Sequence, residues 1–92
     1  MPITIYLSGH LKSFSGDETE VALGDNLLTV GAALDSLWKL YPALRDRVLN
    51  EQGEIRQHVN IFAGSDDVKR RDGLETKLKS DEIHIFNAVS GG

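Results

Sequence analysis

The sequence predicts a two-layer α+β fold, one sheet with one main helix laid across it. Three observations predict it. Apolar residues alternate near both ends of the chain, apolar residues recur at helical spacing through residues 30–41, and clusters of turn residues separate these segments.

Residues 2–8 alternate. Ile3, Ile5 and Leu7 point one way, Thr4, Tyr6 and Ser8 the other, as in a half-buried strand. Residues 9–16 are a turn region in which Phe14 folds back onto the core. Residues 18–23 alternate again, with Val21 and Leu23 on one face, so the first two strands make a hairpin. Gly24-Asp25-Asn26 breaks the pattern and Thr29 reads as a helix N-cap. Val30, Ala33, Leu34, Leu37 and Tyr41 form the helix's apolar stripe, widened by Leu40 and Trp38. Pro42 stops the helix, because its ring disfavours a helical residue before it. Residues 43–49 make a short second helix on Leu44 and Val48.

Residues 55–63 read as a strand, strongest at Val59-Asn60-Ile61-Phe62. Residues 64–73 are a loop with one apolar anchor, Val68, and residues 74–78 a single helical turn. Residues 82–87 are the last strand, with Ile83 and Ile85 on one face and His84 and Phe86 on the other. Residues 1–87 thus form one domain, and residues 88–92 a flexible tail ending in Gly91-Gly92.

Composition narrows the function. A chain of 92 residues has one core and little room for a deep active-site cavity, which favours a binding or carrier domain over an enzyme. The net charge is −4, and the one basic cluster, Lys69-Arg70-Arg71, is flanked by Asp66, Asp67 and Asp72, so it reads as a solvated turn and no nucleic-acid partner is expected. The absence of cysteine excludes disulfides, thiolate metal sites and a cysteine nucleophile. Met1-Pro2-Ile3-Thr4-Ile5 lacks the features of a signal peptide, and no apolar run approaches the length of a bilayer span; the expectation is a cytoplasmic protein with no membrane partner. His10, His58 and His84 are too dispersed to suggest a metal site. The acid pairs Asp66-Asp67 and Asp81-Glu82 fall in predicted turns, where solvated carboxylates are the ordinary explanation.

Two features carry functional information. The first is Gly91-Gly92. Two glycines make the thinnest backbone available, and the five residues after Asn87 reach about 17 Å when extended, enough to thread a narrow cleft. Taken alone, terminal glycines are equally compatible with a frayed chain end. The second follows from the alternation. If the isoleucines of the strands face the helix, Tyr6, Phe62 and Phe86 stand on the outer face as an apolar patch fit to dock a partner. The alternative is that the three rings are scattered, or covered by a loop residue such as Phe14.

The hairpin-helix-strand-strand order ending in Ala88-Val89-Ser90-Gly91-Gly92 resembles the ubiquitin-like β-grasp sulfur carriers over essentially the whole chain. These include the small subunit of molybdopterin synthase, the thiamine-pathway carrier and the carrier of a cysteine-forming pathway. The resemblance implies a mixed sheet of four to five strands packed on one main helix. It also implies a carrier without catalytic residues, bound cofactor or metal. An activating enzyme would join AMP from ATP to the Gly92 carboxylate, a sulfur donor would displace AMP to leave a thiocarboxylate, and a synthase would accept the sulfur. Val89, Ser90 and Gly91 would thread into the partner. Asn87-Ala88 stands where molybdopterin carriers often have prolines, and the loop from Gly53 and the Asp72-Gly73-Leu74 stretch look closer to the cysteine-pathway type. The same activated end would equally serve a protein modifier joined to lysines through Gly92. A plain interaction module with an inert tail is the third reading.

Overall fold

The computed structural model describes residues 2–9, 11–24 and 27–87. Five strands form one sheet: β1 (Thr4–Leu7), β2 (Glu20–Ala22), β3 (Val59–Ala63), β4 (Asp66–Asp67) and β5 (Glu82–Asn87), in spatial order β2-β1-β5-β3-β4. The hairpin β1–β2 is antiparallel, with Ile5 opposite Val21. The central strand β5 runs parallel to β1, placing Ile83 beside Ile5 and Ile85 beside Leu7, and antiparallel to β3, placing Ile85 opposite Ile61. The sheet is mixed, and the order is that of the ubiquitin-like β-grasp. Period-two alternation sends every one of these apolar residues to the same face. They are buried there against α1 (Val30–Leu40) and α2 (Pro42–Val48).

Thr29 caps α1: its Oγ1 accepts the Ala32 N–H at 3.1 Å, which satisfies one of the orphan donors of the first turn. Val30, Ala33, Leu34 and Leu37 are the buried stripe. Leu40 does not widen it. It occupies the last helical position, where the chain turns away at Tyr41-Pro42, and is 55% exposed. Trp38 packs partly against the core. Pro42 ends α1 and also starts α2, at whose first position its missing N–H costs nothing. Gly31 lets α1 approach the segment after β4: a Cβ there would sit 2.9 Å from the Leu74 carbonyl oxygen.

Three further expectations change. The strand expected over residues 55–63 begins only at Val59. Ile55 is tied off in an isolated bridge to Leu49, and the Val59 N–H donates to the Arg56 carbonyl, turning the polar Arg56-Gln57-His58 stretch out of the sheet. Residues 64–73 are more than a loop. Gly64, at φ +62°, makes a tight turn, and Asp66 and Asp67 pair back onto Ala63 and Phe62 as β4. A 3₁₀ turn over Val68–Arg70 follows, with Val68 fully buried as the expected anchor. The single helical turn lies at Gly73–Glu75 rather than 74–78. Lys69, Arg70 and Arg71 are exposed; Arg71 pairs with Asp66 at 3.2 Å, and the Lys69 Nζ donates to the Arg56 and Gln57 carbonyls at 3.0 Å each.

Candidate functional site

The outer face of the sheet holds the three rings expected to form a docking patch. Register aligns five side chains across all five strands: Glu20 on β2 lies beside Tyr6 on β1, Tyr6 beside His84 on β5, His84 opposite Phe62 on β3, and Phe62 opposite Asp67 on β4. The row is aromatic at its centre and acidic at both edges. Tyr6 and His84 stack with centroids 4.7 Å apart and ring planes 12° apart. Phe86, two residues along β5 from His84, stacks on Phe62 at 5.7 Å and 21°. Such pairs supply contact area and a small geometric preference. A shallow depression lined by Phe62, Gly64, His84 and Phe86 joins the two pairs.

The three rings expected on this face are therefore together. Tyr6 and Phe62 are half-buried and Phe86 is 37% exposed. Phe14 does not cover them. It packs against the core on the helical side, with the Arg47 guanidinium 4.4 Å over its ring. Sequence reasoning missed His84. Three dispersed histidines suggested no common site, and only the register shows that this one stands between Tyr6 and Phe62. Its Nε2 lies 3.2 Å from the Glu82 carboxylate.

The acidic edge is felt inside the row. Partial burial raises the Tyr6 hydroxyl above its ordinary value of 10.0, and Glu82, Glu20 and Asp81 raise it further, because each disfavours a phenolate. On the other flank Asp67 accepts the Lys69 N–H at 3.0 Å. The acid pairs Asp66-Asp67 and Asp81-Glu82 thus border the face from β4 and from the start of β5, rather than lying only in turns.

Phe86 ties the patch to the tail. It precedes Asn87, the last residue of β5. Val89, Ser90, Gly91 and Gly92, the residues expected to thread a partner and carry the chemistry, lie outside the described residues, as does His10. Elsewhere a wider cleft of about 820 Å³ opens between residues 53–57 and 73–75, and its one ammonium, Lys69, already serves two carbonyls. No group of three His, Asp or Glu side chains among the described residues could hold a metal ion, and no helix there is long and apolar enough to cross a membrane.

The model of the ThiS family matches residues 5–92. The chain belongs to the ThiS family. This ThiS-family chain is 34% identical to small archaeal modifier protein 1 of Haloferax volcanii, over 94% of its own length and 95% of the relative's. It is 30% identical to the sulfur carrier protein CysO of Mycobacterium tuberculosis, with both chains fully covered. The crystal structure of the Haloferax modifier superposes with a TM-score of 0.82 over the whole of both chains at 30% identity. The fold alone is shared with a chain of the Amycolatopsis orientalis BexX/CysO complex, at a TM-score of 0.84 and 24% identity, covering 98% and 99% of the two chains. These relatives are small carrier and modifier proteins, consistent with a non-catalytic part, and they support a sulfur-carrier or modifier role for this chain.

Proposed function

We propose that this protein is a sulfur carrier whose reactive group is the carboxylate of Gly92. An activating enzyme of the ubiquitin-activating kind binds the domain and ATP. A carboxylate oxygen of Gly92 attacks the α-phosphorus, pyrophosphate leaves, and an acyl adenylate forms. A sulfide-level donor then attacks the acyl carbon, the bond to AMP breaks with its electron pair going to AMP, and a thiocarboxylate remains. A carboxylate is a poor electrophile and the adenylate a good one. The thiocarboxylate sulfur is anionic and polarizable, hence a strong nucleophile for a sulfur-accepting synthase.

The observation that carries this reading is the match of the ThiS family through residue 92, so that Gly91-Gly92 falls inside the family's own pattern. The domain's part is to hold and present that end. The outer row of Tyr6, His84 and Phe62, with Phe86 at the tail's root, is the docking surface. Its acidic margins, Glu20 on β2, Glu82 at the start of β5 and Asp67 on β4, favour an apolar partner surface rimmed with arginine or lysine. The full-length likeness to a sulfur carrier named CysO favours a cysteine-forming pathway as the destination, with molybdopterin synthesis the nearest competitor.

The second reading is a protein modifier, joined to target lysines through the same activated Gly92. The 34% identity to a protein named as a modifier favours it. Intact-mass measurement after incubation with ATP, the cognate activating enzyme and a sulfur source tests the carrier reading. The expected result is replacement of one oxygen by sulfur at Gly92. An unchanged mass with an enzyme shown to be active overturns it, and isopeptide-linked conjugates in cell extracts with no thiocarboxylate select the modifier.

A further inference from the structure

His84 stands at the centre of the outer face, on the middle strand of the five. Its ring lies flat against Tyr6, with centroids 4.7 Å apart and planes 12° apart, and its Nε2 is 3.2 Å from the Glu82 carboxylate. With Phe62, Gly64 and Phe86 it lines the depression between the two ring pairs. It is half-exposed there, so a surface that covers Phe62 and Phe86 covers the imidazole as well. Imidazole is the side chain that ordinarily changes charge between about pH 5 and 8. The row from Glu20 to Asp67 holds one imidazole and no lysine or arginine.

Each neighbouring strand contributes a different group. From β1 comes Tyr6, whose hydroxyl is raised by burial and by three carboxylates and so stays neutral over that range. From β3 comes Phe62, without charge. On β5 itself Glu82 touches the ring, and Asp81 precedes it. Beyond Tyr6 stands Glu20 on β2, and beyond Phe62 stands Asp67 on β4. Arg70 and Arg71 pair with Asp67 and Asp66, at 3.9 and 3.2 Å.

The free domain accommodates both states of the ring. Water reaches it, and Glu82 accepts a hydrogen bond from the neutral ring or pairs with the imidazolium. Docking separates the two states. An apolar surface over the depression removes the water, and taking a charge out of water costs far more than covering a neutral ring. Glu82 offsets that cost for an imidazolium, but it also belongs to the acidic margin that meets a partner's arginine or lysine. A partner cation on Glu82 draws the carboxylate from the ring and itself repels an imidazolium. The neutral ring keeps its stack on Tyr6 and has no charge to lose.

We propose that His84 gates docking by its protonation state: the activating enzyme takes the chain with His84 neutral, and a proton on His84 opposes binding. Linkage makes the effect reciprocal, so docking expels the proton from chains that carry one there. Loading of the carrier then slows as the surroundings become acid. The inference rests on the docking role given to the outer face in the sulfur-carrier reading.

The test is titration calorimetry of the full chain with the cognate activating enzyme from about pH 8 to about pH 5.5, in buffers of different ionisation enthalpy so that the heat also counts protons. Wild type is expected to bind about tenfold more weakly at the acid end and to release as much as about one proton there. His84→Gln has no titrating group at this position. Its affinity is lower throughout, since Tyr6 loses its stacked ring, but the acid weakening and the proton release contributed by the chain disappear. His84→Asn repeats the measurement with a second neutral side chain, and thermal melting checks that each variant folds. Equal acid weakening in wild type and in a folded variant assigns the proton to the enzyme and overturns the inference, while the docking face stands. Wild type that exchanges no proton on binding overturns it without any variant. So does tighter wild-type binding in acid with proton uptake, because the partner then leaves Glu82 on an imidazolium. Wild type that does not bind an active enzyme at any pH overturns the sulfur-carrier reading, and the inference with it.

Discussion

On the helix-facing side of the sheet Ile5, Ile61 and Ile83 are fully buried, whereas on the opposite side Tyr6, Phe62 and His84 stay half-exposed and Phe86 is 37% exposed. The same strands, often at adjacent positions, make both surfaces. The inner face is branched aliphatic at Ile5, Ile61, Ile83 and Ile85, and it interlocks with Val30, Leu34, Leu37 and Leu44 from the helices. The outer face is aromatic, ringed by carboxylates, and packs mainly against itself in two stacked pairs. The inner face therefore accounts for folding, and the outer face is available for recognition.

The largest expected effect breaks the inner face. Ile83 stands on the central strand between Ile5 of β1 and Ala63 of β3 and has no exposed surface. Ile83→Ala removes buried methylene and methyl groups and leaves a cavity, which costs about 2–5 kcal/mol. For a domain of this size the thermal midpoint should fall by about 10 °C or more, measured by circular dichroism. A fall of only a few degrees would show that the strand can collapse onto the gap and that the inner face is less tightly specified than its burial suggests.

The next effect falls on the outer face and has the opposite signature. Phe62→Ser and Phe86→Ser each remove one ring of a half-exposed pair, worth about 1 kcal/mol of stability. Serine separates the loss of the ring from charge effects, because an acid at position 62 would stand opposite Asp67. If this face docks the activating enzyme, each change should weaken binding about tenfold or more in titration calorimetry, as expected of an interface aromatic. Intact binding with intact folding would move the docking surface elsewhere. A collapse of folding would make Phe62 a core residue.

The contrast between the faces was legible in the sequence because it rests on period two. Ile83 and Ile85 against His84 and Phe86 is a local pattern, and the strand needs no tertiary information to display it. Thr29, Pro42 and Val68 were legible for similar local reasons: a cap, a ring and a lone apolar residue in a polar loop. What escaped was set by pairing across distance. Asp66 and Asp67 become a strand only because Gly64 turns them back onto Phe62 and Ala63. The strand expected from Ile55 fails because Leu49 captures that residue first. His84 joins the site through its register with Tyr6 and Phe62, positions 78 and 22 residues away in the chain. Register between strands from opposite ends of the chain leaves no mark in a local window.

The smallest effect sharpens the comparison from within the acidic margin. Burial and three carboxylates raise the Tyr6 hydroxyl above 10.0, burial first, then Glu82, Glu20 and Asp81. Ultraviolet titration of a chain in which Tyr41 is replaced by phenylalanine follows Tyr6 alone, since the chain has two tyrosines. Its midpoint should lie above 10.0. Glu82→Gln should move it down while leaving it above that value, because the burial contribution stays. The sign for stability follows from proton linkage. Above pH 10 the folded state holds the Tyr6 proton more tightly than the unfolded chain does, so this contribution is fully present below pH 10 and is lost as the pH rises through the folded value. Glu82→Gln should shrink that alkaline loss. A midpoint that does not respond to Glu82→Gln would mean that the carboxylate is screened from the row, and the acidic rim would then lose its part in selecting a basic partner.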